Sequence, residues 1–252
     1  NLVQNGDFSE EGVQEVSNGS FSEIGSEEFE NSDFNNGLDE WNGSGYTVVN
    51  NQLITNSTSL LYQSLSLTAN KTFKAEINIE SISQGGVKLY CQGNQSATIT
   101  TPGVHTVYIV SGSSNSLVGI NPQGTFEAVV NSISFKEVGQ DWTLQTGWSI
   151  AEDKATCDGT PFAQLYQTNI LTQNKTYKVT YTITSYVSGS VRAKLGNSTN
   201  GADNNANGTY TEYIYFNEAN LTFHLRSGSF NGSITNISVK EVGMDWTLGT
   251  DV

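Results

Sequence analysis

Among the side chains that pair a ring or a guanidinium group with a hydrogen-bonding tip, eight stand out as candidates. Tyr90, His105 and Tyr108 fall in one stretch, and Arg192, Tyr210, Tyr213, Tyr215 and Arg226 in another. A pyranose ring presents apolar C–H faces rimmed by hydroxyls, so an aromatic surface beside donors and acceptors is the chemistry that would hold it. Tyrosines on half-buried strands also pair across strands and fill cores. Which of the eight share a face is a question of strand register.

Catalytic chemistry finds little to work with. His105 and His224 are the only histidines, and neither lies near a Gly-flanked Ser or a Cys nucleophile, so no triad can be assembled. Glu76 and Glu80 alternate with apolar residues on a strand pattern that also carries Lys74, which reads as a solvated face rather than a pair of opposed glycosidase carboxylates. Cys91 and Cys157 occupy non-equivalent places and read as small buried residues, with no Cys and His spacing suited to a metal. The expectation is a protein without enzymatic activity, catalytic residues or cofactor.

The elements that would position the candidates follow from composition and repetition. The chain has 252 residues, only 14% of them charged, with a net charge of −14. Residues 1–40 hold eleven acidic side chains and no Lys or Arg, leaving 14 acidic against 11 basic in the rest. An acidic surface repels phosphate backbones and anionic lipid, so neither nucleic acid nor membrane is expected as a partner. No window approaches the roughly 20 apolar residues of a membrane-spanning helix. A chain opening at Asn1 reads as a processed product or part of something longer.

Sliding the sequence along itself exposes a period of 104 residues: Ile133–Leu144 matches Ile237–Leu248 at ten of twelve positions. At the same offset Leu61-Tyr62-Gln63 falls on Leu165-Tyr166-Gln167. After a one-residue insertion Gly103, Thr106 and Tyr108 fall on Gly208, Thr211 and Tyr213. Within each copy the apolar residues alternate, as in Phe73, Ala75, Ile77 and Ile79, the period of a strand with one face buried. Further strands are expected at 59–66, 86–92, 104–110, 117–120 and 126–138, separated by turns at Ser83–Gly86, Pro102-Gly103 and Asn121–Gly124. The predicted fold is all-β: two tandem β-sandwich (jelly-roll) domains over 38–140 and 141–244, preceded by a short-repeat β-rich or extended segment.

Residues 1–37 follow a shorter rule. Asn5-Gly-Asp-Phe8, Asn18-Gly-Ser-Phe21 and Asn31-Ser-Asp-Phe34 recur every 13 residues, each preceded by Val3, Val16 or Phe29. One such unit is too small to bury a core, so the units must stack on each other, on a domain or on neighbouring chains. A stalk or assembly segment is the preferred reading; an acidic linker or simple packing onto the first domain are the alternatives. Residues 245–252 copy the opening of the second domain and read as the start of a further repeat or an assembly tail.

Asn31-Ser-Asp-Phe34 followed by Glu40-Trp41, a β-rich hundred residues and a closing Ile133–Val138 resembles the carbohydrate-binding-module jelly rolls. The tandem form, with Asp141–Trp148 and Lys240–Gly243 at its junctions, resembles domains of marine bacteriophage structural and tail-fibre proteins. The resemblance implies a non-catalytic virion structural protein, a fibre, spike or decoration, presenting such domains to host-surface glycan. Its localisation would be the virion surface or extracellular, and its partners copies of itself and cell-surface polysaccharide. The alternative is a subunit of a bacterial extracellular filament or adhesin in which the sandwiches are spacers. Modules of this kind often carry an acidic calcium ligand before the closing strand, where Ser132 and Asn236 stand here. A structural calcium is therefore not supported, and Asp33 and Asp39 read as surface carboxylates.

Overall fold

The computed structural model describes residues 10–244, in which there are seventeen strands and no helix. Two compact units divide the chain. The expectations for Val3, Asn5–Phe8 and 245–252 lie outside the described residues.

In chain order the strands are β1 (Glu11–Gln14), β2 (Ile24–Glu27), β3 (Tyr46–Val49), β4 (Gln52–Ser57), β5 (Leu61–Ser64), β6 (Thr72–Cys91), β7 (Asn94–Gln95), β8 (Gly103–Val110) and β9 (Leu117–Val138). The second copy continues with β10 (Thr143–Leu144), β11 (Trp148–Ala151), β12 (Lys154–Asp158), β13 (Gln164–Gln167), β14 (Lys175–Leu195), β15 (Thr199–Asn200), β16 (Gly208–Phe216) and β17 (Phe223–Val242). In the first sandwich β6 and β9 run antiparallel as a central pair, flanked by β2, β3, β4, β5, β7 and β8. The second repeats this plan around β14 and β17. The all-β tandem-sandwich expectation describes both.

The sequence breaks these long strands where the structure only bends them. The turns expected at Ser83–Gly86 and Asn121–Gly124 lie inside β6 and β9, facing one another. Register shifts between Ile79 and Gly86, with positive φ at Gly85 and Gly124, fold both ribbons over together. Bulges turn a strand without ending its ladder, so one strand serves both layers. The inward residues, among them Phe73, Ile77, Leu89, Phe126 and Phe135, make the first core, and Tyr177, Tyr181, Leu195, Phe223 and Phe230 occupy the second. Cys91 and Cys157 are free and buried; burial pushes the Cys91 thiol up to about 12, which keeps it protonated and unreactive.

The acidic N-terminal residues differ most from expectation. Residues 10–37 do not stand apart as a stalk: 24–37 belong to the first sandwich, and 10–23 belong to the second, with 141–244. The strand β2 adds to β9 in the first unit and β1 adds to β17 in the second. Each of the two described 13-residue words closes over a tryptophan. In the first sandwich Trp41 Nε1 donates to the Asn31 carbonyl at 3.0 Å, and its ring lies 5.7 Å from Phe34. In the second, Trp142 Nε1 donates to the Asn18 carbonyl at 3.0 Å, with Phe21 at 5.4 Å.

A glutamine completes both clasps. Gln63 Nε2 donates to the Glu30 carbonyl at 2.6 Å and Gln63 Oε1 accepts from the Glu30 amide at 3.2 Å. Gln167 does the same for Ser17, at 2.7 and 3.1 Å. Asn18, Phe21, Asn31 and Phe34 all have positive φ, a strained backbone that tertiary packing must hold in place. The physical reason the stalk reading fails is this partner. The word lacks a core of its own, and a buried Trp in a sandwich supplies it.

Candidate functional site

Residues opposite one another on neighbouring strands point to the same face of a sheet. In the first sandwich one outward row runs Asn42, Tyr62, Gly119, Tyr90, Gln95. Its neighbours Leu61, Ile120 and Leu89 face the core and are buried, so the row lies on the opposite face, where Tyr62 and Tyr90 are half-buried and Gly119 is buried beneath them. Gly119 fits because β5 and β9 approach too closely for a side chain: an added Cβ would lie 2.0 Å from the Leu61 carbonyl oxygen. The result is a low backbone floor between two tyrosines whose strands lie about 10 Å apart. Asn115 Nδ2 donates to the Tyr90 hydroxyl at 2.7 Å, and Lys88 and Asn121 pair in the row two residues along.

The same row recurs in the second sandwich as Thr143, Tyr166, His224, Lys194, Asn200. Two residues along stand Gln164, Arg226 and Arg192. His224 thus occupies the place of Gly119, Lys194 that of Tyr90, and Arg226 that of Asn121. The Arg226 guanidinium lies 5.0 Å from the centroid of the Phe162 ring, a cation–π contact, and that ring is 65% exposed. Tyr166 and His224 rings are 5.5 Å apart.

Burial first, then the Lys194 charge, lowers the His224 imidazole to about 4. The ring is therefore neutral near pH 7; the Gly196 backbone, which opposes that lowering, interacts with the ring, but neither nitrogen reaches hydrogen-bond geometry with a described residue. Burial, and next the Arg226 charge, lowers the Lys194 amine. Nearby carboxylates are occupied: Asp203 pairs with Arg192 at 3.1 Å. Glu218 accepts from the Thr199 hydroxyl, from the amides of Asn197, Ser198 and Thr199 and from the Ser198 hydroxyl, which hold its carboxyl down at about 2.

The eight residues singled out in the sequence divide. In the first sandwich Tyr90 stands in the outward row. Tyr108 lies on β8 opposite Lys74, and His105 shares the inward-pointing side of β8 with Val107 and Ile109, its Nε2 2.8 Å from the Thr101 carbonyl. The three do not form one site, because an odd spacing puts His105 and Tyr108 on opposite faces of their strand. In the second, Arg192 and Arg226 are cross-strand neighbours. Tyr213 and Tyr215 are an exposed pair at the other end of β14, opposite Lys178 and Thr176. Tyr210 stands against Tyr181, rings 6.0 Å apart, and donates to the Ala206 carbonyl at 2.9 Å.

The sequence reading passed over Tyr62, Gly119, Phe162, Tyr166, Lys194 and His224. The coincidence of Tyr62 with Tyr166 at the 104-residue offset was the available signal. A groove of about 430 Å³ beside the second clasp, lined by Gln14, Asn18, Glu23 and Asn236 among others, gathers neither a ring nor a cation. Among the described residues no group of three His, Cys, Asp or Glu could hold a metal.

No protein-family model matches the sequence, and neither does any curated protein. Among solved structures the N-terminal CBM22-1-CBM22-2 tandem domain of Paenibacillus barcinonensis Xyn10C is similar at 10% identity and a TM-score of 0.34, covering 87% of this chain and 99% of that one. An F-lectin from striped bass (Morone saxatilis) serum gives 8% and 0.30, covering 78% and 84%. Allantoicase from Saccharomyces cerevisiae gives 8% and 0.33, covering 78% and 77%. Superpositions this loose leave the outward rows to be judged on their own geometry.

Proposed function

We propose that this chain is a non-catalytic, glycan-binding structural protein, a virion fibre, spike or decoration that presents its tandem sandwiches to host-surface polysaccharide. The observation that supports the reading is the outward row of aromatic and hydrogen-bonding side chains, which occurs at equivalent strand positions in both units. A tyrosine, Tyr62 or Tyr166, stands in each, beside polar groups that could meet hydroxyls, as a sugar requires. The surface would be extracellular or on the virion, and copies of the chain its other partners.

A broad glycan array probed with the full chain tests this. At least one sugar class is expected to bind, and binding at the first row should fall about tenfold or more in Tyr62→Ala and Tyr90→Ala, the loss typical of a central aromatic contact. If no sugar binds across the panel, the receptor reading falls and the spacer of a filament or adhesin takes its place.

A further inference from the structure

The two rows differ in charge at equivalent positions, and this difference bears on what each would hold. The chain has 11 basic residues against 25 acidic ones, yet Arg192, Lys194 and Arg226 converge on one patch of the second sandwich. Arg192 is paired with Asp203. Lys194 and Arg226 have no carboxylate at ion-pair distance among the described residues; Glu218 acts on Lys194 only from farther off, and the two cations side by side repel one another. Between Lys194 and Tyr166 sits His224, 9% exposed, with neither ring nitrogen at hydrogen-bond geometry to a described residue, although the Gly196 backbone interacts with the ring. A buried polar group without a partner is costly, and a ligand that supplied one would recover that cost.

We propose, building on the glycan-binding reading, that the second sandwich takes an anionic sugar, a uronate or a sulfated residue. Its acidic group lies between Lys194 and Arg226, its ring against Tyr166 or Phe162, and a hydroxyl meets His224. The planar, permanently charged fork of Arg226 suits two oxygens of a carboxylate or sulfate. In the first sandwich the corresponding places are Tyr90, Asn121 and Gly119, with Lys88 where Arg192 stands. Its row therefore keeps one cation but offers a tyrosine in place of Lys194 and an asparagine in place of Arg226, and lacks the pair of cations that would flank an acidic group. That row fits a neutral sugar. One chain would then read two glycan chemistries.

The full chain is tested against three immobilised polysaccharides: a neutral glucan, a polyuronate and a sulfated galactan. The unaltered chain is expected to bind one or both anionic polymers, more weakly as salt is raised. The double variant Lys194→Gln/Arg226→Gln should lose that binding by about tenfold or more and keep any neutral-glucan binding. Tyr62→Ala/Tyr90→Ala should show the opposite pattern. A polyuronate preference over the sulfated polymer identifies the carboxylate as the source of charge, and the reverse identifies sulfate. Anionic binding that survives the double variant, or neutral binding with no anionic binding, overturns this inference and leaves the glycan reading standing. Absence of binding to every polymer overturns both. Unchanged thermal transitions in the variants exclude misfolding as the cause.

Discussion

Phe21→Ala is expected to destabilise the second sandwich by about 3–5 kcal/mol, the usual cost of removing a buried phenylalanine, while the first sandwich melts as before. Phe21 is 1% exposed and packs on Trp142, itself fully buried. Losing the ring leaves a cavity and loosens a turn in which Asn18 and Phe21 are both held at positive φ. Phe34→Ala should do the converse, weakening the first sandwich through Trp41. Denaturant titration of the full chain, followed by hydrogen exchange resolved to each unit, distinguishes the two. If Phe21→Ala instead weakened the sandwich that contains residues 24–140, the assignment of clasps to units would be wrong.

The second large effect is expected from acid. The His224 imidazole titrates near 4 in the folded chain against an ordinary 6.5, so the unfolded chain takes up the proton first as pH falls. A base with a depressed folded value therefore gives a stability that is fully present above about 6.5 and is progressively lost as pH drops toward 4. The full span is at most about 3 kcal/mol at 1.36 kcal/mol per pH unit. Denaturant midpoints of the second sandwich at pH 7.5 and 4.5 should differ by a large part of that amount, and His224→Leu should remove most of the difference. A midpoint that falls equally in His224→Leu would assign the acid sensitivity to carboxylates instead. An anion seated between Lys194 and Arg226 would favour the protonated ring, so bound polyuronate should shrink the loss on acidification.

Much of the fold was legible because it rests on local alternation and on duplication. Phe73, Ala75, Ile77 and Ile79 announce a strand with one buried face, and all four are buried. The 104-residue match placed the second copy's start at Asp141, where the second unit resumes. The bends in β6 and β9 were not legible, since Gly and Ser at a bulge look the same as Gly and Ser at a turn. The hairpins β3–β4 and β11–β12 show a related ambiguity. Asn50-Asn51 is a recognisable left-handed pair, whereas Glu152-Asp153 adopts the same positive φ without advertising it.

The clasps were misread for a different reason. A 13-residue period draws attention to neighbouring words, but the partner of Phe21 is Trp142, beyond the whole first sandwich in sequence. Long-range pairing leaves no periodic trace. The outward rows were hidden likewise: Tyr62, Gly119 and Tyr90 come from three strands, and only their register shows that they share a face. Nothing in the sequence marks His224 as part of a row, because its counterpart in the first sandwich is a glycine.

The most direct test of the glycan-binding claim is a titration of the isotopically labelled full chain with the best-binding polysaccharide fragment, followed residue by residue by NMR. Shifts are expected to concentrate at Tyr62, Gly119 and Tyr90 for a neutral fragment, or at Tyr166, Lys194, His224 and Arg226 for an anionic one. Shifts confined to Tyr213 and Tyr215, or no shifts at saturating fragment, would contradict the account.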